Sequence, residues 1–84
     1  MRLVFSSHAR ARMRMRNITE SDVLACLGDA HTRIVGTGST TYMGDIGGRT
    51  LKVVVATDRD SDTEEFIITT VWRGDDGSEP PVLA

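Results

Sequence analysis

The spacing of apolar positions changes once along this 84-residue chain, near Ala30. Before that point the signal is helical. Arg2 to Phe5 reads as a short extended entry, and Ser6 or Ser7 can cap a helix that runs to about Arg16. Asn17 suits the left-handed residue that closes such a helix. Thr19-Glu20-Ser21-Asp22 then predicts a second N-cap close to a capping box. Val23, Leu24 and Leu27 recur at helical spacing as far as Gly28, which stops the run.

After Ala30 the pattern becomes that of strands. Residues 32–37, 40–46, 49–57 and 63–72 are rich in Val, Ile, Thr and aromatic side chains, and turn residues separate them. Gly36-Thr37-Gly38-Ser39 makes the first connection and Gly47-Gly48 a tight hairpin. The run from Asp58 to Asp62 makes a polar loop. Two helices followed by a meander predict an α+β fold in which two N-terminal helices pack on a four-stranded antiparallel sheet. The length allows one domain over residues 1–73, and residues 74–84, with two prolines and three acids, read as a flexible C-terminal tail.

Composition narrows the function by exclusion. Apolar runs such as Val53 to Ala56 fall far short of the ~20 residues that span a bilayer, and the N-terminus lacks a secretory apolar segment. A cytoplasmic location without membrane contact is therefore expected. The single cysteine, Cys26, excludes an internal disulfide and reads as a small buried helix residue. Asp58, Asp60 and Asp62 alternate like calcium ligands, but Arg59 lies among them and the glycine and glutamate that such a loop requires are missing. The glycines from Gly36 to Gly48 match no phosphate-binding loop, and no helix follows them. No metal site and no cofactor is expected.

Charge changes the picture more. The net charge of −2 argues against a protein that coats nucleic acid indiscriminately. It hides an asymmetry, because residues 1–16 hold five arginines and no acid while the other 68 residues hold five bases and all twelve acids. A basic segment on an acidic body marks a local anion site. At ~100° per residue, His8, Arg12 and Arg16 fall within about 80° of one another, flanked by Ala9, Met13, Ala11 and Met15, whereas Arg10 and Arg14 fall on the opposite side. The trio is thus expected to face the sheet. A half-buried guanidinium needs an acceptor. One solution is structural: Arg12 or Arg16 pairs with Asp45 or Glu65, and His8 bonds backbone at the helix start. The other is chemical, since histidine moves protons near neutral pH and arginine fits phosphate oxygens, which together suit cleavage of an RNA phosphodiester without a metal.

The pattern Phe5-Ser6, His8-Ala9, Arg12-Met13, Arg16 and Ile18, followed by an acid-capped helix and Ile67-Ile68-Thr69-Thr70-Val71-Trp72, resembles the bacterial domain of unknown function family numbered 4258. The likeness runs from Phe5 to Trp72. That family looks related to the barnase, EndoU, colicin and RelE superfamily of small metal-independent ribonucleases, many of them toxins neutralised by an immunity protein or antitoxin. The resemblance implies a RelE- or barnase-like domain with His8 and Arg12 at the active cleft and Thr70 as a further site member. It also brings Tyr42 and Lys52 from neighbouring strands towards substrate. Trp72 would either stack on a base or cover the sheet. The leading expectation is a toxin-like endoribonuclease acting by 2′-hydroxyl transphosphorylation, with His8, Arg12, Arg16 and Thr70 catalytic, Tyr42, Lys52 and Trp72 binding substrate, and RNA and an antitoxin or immunity protein as partners. The alternative is an inert binding module whose basic helix receives RNA or an acidic partner protein.

Overall fold

A computed structural model describes residues 2–57 and 64–74. The elements in chain order are β1 (Arg2–Phe5), α1 (Ser7–Arg16), α2 (Glu20–Gly28), β2 (Thr32–Val35), β3 (Ser39–Ile46), β4 (Arg49–Ala56) and β5 (Glu64–Trp72). The Asp58–Asp62 loop and the tail beyond Gly74 lie outside the described residues.

The fold is α+β, but the sheet corrects the expected architecture. It has five strands in the order β1-β5-β4-β3-β2 and is mixed, because β1 pairs parallel to β5 while the other neighbours are antiparallel. A four-stranded antiparallel sheet behind two leading helices is therefore not what forms. Arg2-Leu3-Val4-Phe5 is the first strand, and the helices follow it. A four-residue run is too short to form a strand by local preference, and its partner, Glu64 to Ile67, lies some sixty residues away.

The helix boundaries follow the capping residues. The Ser6 hydroxyl accepts from the Ala9 amide at 2.9 Å, and Asn17 closes α1 in the left-handed region at φ 55°. Thr19 and Asp22 form a reciprocal capping box, with bonds of 3.0 and 3.1 Å. Gly47 and Gly48, at φ 58° and 85°, supply the two positive angles that a two-residue hairpin between Ile46 and Arg49 needs.

One core cluster joins the layers. Ala9 and Met13 from α1 and Val23 and Cys26 from α2 meet Leu51, Val53 and Val55 of β4, Ile67 and Trp72 of β5, and Phe5 of β1. α1 packs on β5 and β1, whereas α2 packs on β3 and β4. Close approach of α2 depends on Gly44, where an added Cβ would sit 3.3 Å from the Cys26 Cα and carbonyl oxygen.

A bulge in β5 sets which residues face this core. Val54 pairs with Thr69 but Val55 pairs with Ile67, so Ile68 is an extra residue. Simple alternation would turn Ile67, Thr69 and Val71 to one face. The bulge instead turns Ile67, Thr70 and Trp72 inward, and all three are buried.

Candidate functional site

α1 lies along β5 and is fastened at both ends. At its start the Ser6 amide donates to the Ile67 carbonyl at 3.0 Å and the Ser6 hydroxyl to the Ile68 carbonyl at 2.7 Å. At its end the Trp72 Nε1–H donates to the Arg16 carbonyl at 2.8 Å.

Between these points the helix is rolled so that Ala9 and Met13, the buried residues, define its inward line. Arg12 and Arg16 stand on the flank of that line and are half-buried, while His8 is exposed on the first turn. The inward stripe is thus centred on the small and apolar side chains, because they lose least by leaving water. Arg10, on the other flank, lies 5.1 Å from the Phe5 ring centroid and 3.8 Å from the Glu20 carboxylate.

The structural role considered for Arg12 and Arg16 does not arise among the described residues, where neither forms an ion pair. Asp45 accepts from the Thr50 hydroxyl at 3.0 Å and lies 3.3 Å from His31 Nε2. Two buried side-chain polar atoms lack a hydrogen-bond partner among the described residues, and they are Arg16 Nη1 and Thr70 Oγ1. Arg16 is on the helix and Thr70 on the strand that the helix covers. An unmet buried polar group costs about 1–3 kcal/mol, so each of these two atoms is short of a partner that the described residues do not supply.

The remaining candidates separate. Tyr42 shares the inner face, since it pairs with Val53, which pairs with Thr70. Lys52 adjoins Val53 in β4 and so projects from the opposite face. Trp72 is buried, and the Arg49 guanidinium lies 4.8 Å from its ring centroid. It therefore acts as sheet cover and as an anchor for α1. No group of three metal-ligating side chains occurs among the described residues, and no helix there is long and apolar enough to cross a membrane.

Comparison with known families is decisive on kinship alone. The family described as domain of unknown function (DUF4258) matches residues 5–73. The chain belongs to the DUF4258 family. No curated protein and no solved structure matches it. The stretch matched to DUF4258 runs from the buried Phe5 to one residue past Trp72, so it contains α1, β5 and both orphaned polar atoms.

Sequence reasoning named Tyr42 and Glu65 but passed over Arg33, Thr40 and Val55. Together these five residues line an open cleft of about 280 Å³. Arg33 and Glu65 carry no local motif, and only the strand register brings them together.

Proposed function

We propose that this domain is a toxin-type RNA endonuclease of the barnase, EndoU, colicin and RelE kind, cleaving by 2′-hydroxyl transphosphorylation. The supporting observation is two unsatisfied buried atoms, Arg16 Nη1 on α1 and Thr70 Oγ1 on β5, the strand that α1 covers, together with a helix that carries four arginines and no acid. A phosphodiester offers acceptor oxygens to such donors, and the negative charge that builds on phosphorus in the transition state strengthens those bonds. Arg12, on the same flank as Arg16, adds charge.

In the reaction the ribose 2′-oxygen attacks the adjacent phosphorus, and the bond from phosphorus to the 5′-oxygen breaks. The products are a 2′,3′-cyclic phosphate and a free 5′-hydroxyl. One proton leaves the 2′-oxygen and one reaches the 5′-oxygen. His8, exposed at the start of α1, is open to a bound strand, and in this reading it carries one of these transfers.

The test is degradation of RNA by purified protein in excess EDTA, with cyclic phosphate ends among the products. His8→Ala should abolish turnover while leaving the fold intact. Intact RNA at high protein concentration would sink this reading. Growth arrest on expression, relieved by a neighbouring gene, would extend it to a toxin with an antitoxin or immunity protein.

A second reading rests on His8 itself. Its side chain has no hydrogen-bond partner among the described residues, so none of them orients its ring as many catalytic histidines are oriented. The same cationic flank would then bind RNA or an acidic protein without cutting. In that case Arg12→Ala weakens association and there is no turnover to lose.

A further inference from the structure

We propose that the cleft lined by Arg33, Thr40, Tyr42 and Glu65 is a base-binding subsite for one nucleotide of single-stranded RNA, selective for a base that carries an exocyclic amino group. The inference rests on the RNA-directed reading above and adds the ligand of a second place on the same face.

Its position follows from strand register. Arg33 pairs with Tyr42, Tyr42 with Val53 and Val53 with Thr70, so the four residues form one row across β2, β3, β4 and β5 on the helix-covered face. Tyr42 is two strands from Thr70, about 10 Å at the usual strand spacing. The cleft therefore opens on the same face of the sheet as Thr70, with the buried Val53 between Tyr42 and Thr70.

Its chemistry is that of an unfilled polar pocket. Arg33 and Glu65 line the same cleft with opposite charges but do not pair, and neither has another partner among the described residues. Glu64, on the rim, lies 3.8 Å from Arg2. Tyr42, the only tyrosine of the chain, is half-buried in the cleft wall, and Thr40 is buried beside it. A ligand that meets all of these needs a flat ring for Tyr42, N–H donors for Glu65 and an acceptor for Arg33. A nucleobase meets that description in one group, and the cleft volume suits one base better than a stack of them. The carboxylate of Glu65 accepts from the amino group of cytosine, as acidic side chains do at base edges, whereas uracil flanks its single edge N–H with two carbonyls that repel a carboxylate.

Fluorescein-labelled 2′-O-methyl oligocytidine and oligouridine, which lack the attacking hydroxyl, test the subsite by anisotropy on the full chain. Oligocytidine should bind more tightly than oligouridine. Tyr42→Ala should weaken oligocytidine binding about tenfold or more, and Tyr42→Phe should bind like the parent. Arg33→Ala should weaken it as well, and Glu65→Gln should erase the preference for cytidine. Unchanged melting temperatures in Arg33→Ala and Glu65→Gln separate lost contacts from lost fold. If the parent binds and cuts RNA but these variants bind as it does, the subsite is overturned and the nuclease reading stands. If the parent binds without cutting and the variants weaken binding, the subsite stands and the nuclease reading falls. If the parent binds neither probe, the subsite is overturned whatever the cleavage assay gives.

Discussion

The Ser6 hydroxyl donates to the Ile68 carbonyl at 2.7 Å, and through it the first turn of α1 is tied to the extra residue of the β5 bulge. The same oxygen accepts from the Ala9 amide, so one side chain caps the helix and holds the strand irregularity that turns Thr70 inward.

Loss of that oxygen should have a double effect. Ser6→Ala removes a cap and leaves a part-buried carbonyl without its donor, and the expected destabilisation is about 1–3 kcal/mol. For a domain of this size each kcal/mol lowers Tm by about 4–8 °C. Ser7→Ala, one residue on and exposed, should change Tm little. Equal melting curves for Ser6→Ala and the parent would show that the bulge is held by β5 and its neighbours alone.

Thr70 should trade stability against binding. Thr70→Val keeps the shape of the side chain and removes a buried hydroxyl that has no partner among the described residues. Thermal unfolding without ligand should show equal or higher stability, by up to about 1 kcal/mol. RNA binding and cleavage should both fall. A markedly lower Tm would mean that the hydroxyl is satisfied in the free protein and is structural.

The seam between α2 and β3 should reject even one methyl group. Gly44→Ala places a Cβ 3.3 Å from two backbone atoms of Cys26, and backbone gives way less readily than a side-chain tip. Pushing α2 outward should cost about 1–3 kcal/mol in chemical denaturation. Since α2 packs on β3 and β4 and not on β5, RNA cleavage below the melting transition should be little affected.

Cys26 should make stability depend on alkaline pH. Desolvation by burial raises its thiol above the ordinary value of 9.0, and a backbone hydrogen bond from Gly44 offsets this only in part. Above pH 9 the unfolded chain loses the thiol proton while the folded chain keeps it. Unfolding then releases a proton, so stability falls as pH rises through that range. Cys26→Ala should remove this part of the decline. The native thiol should also react slowly with a disulfide reagent near neutral pH and quickly once the chain is unfolded. Rapid modification of the folded protein would contradict the burial of Cys26.

Local chemistry was legible wherever a residue acts on its near neighbours. Ser6, Asn17, Thr19 with Asp22, and Gly47-Gly48 mark their caps and hairpin because each bonds, or takes its unusual φ, within a few residues of itself. Membership of the DUF4258 family was legible for the same reason, being carried by short motifs. The flank shared by Arg12 and Arg16 also follows from helical spacing, although the roll of the helix left His8 in solvent.

By itself, then, the sequence determined the two helices, the meander from β2 to β5, an α+β domain and an acid-free arginine helix. Tertiary structure alone decided the rest. The parallel pairing of β1 with β5 joins segments about sixty residues apart, and no local preference encodes it. The bulge at Ile68 shifts the face of every residue after it in β5, and the carbonyl at that bulge accepts a hydrogen bond from a serine 62 residues away. The cleft of Arg33, Tyr42 and Glu65 exists because β2, β3, β4 and β5 pair side by side and turn these side chains to one face. Periodicity reports which face a residue takes within its own element, whereas pairing between elements fixes which residues share a site.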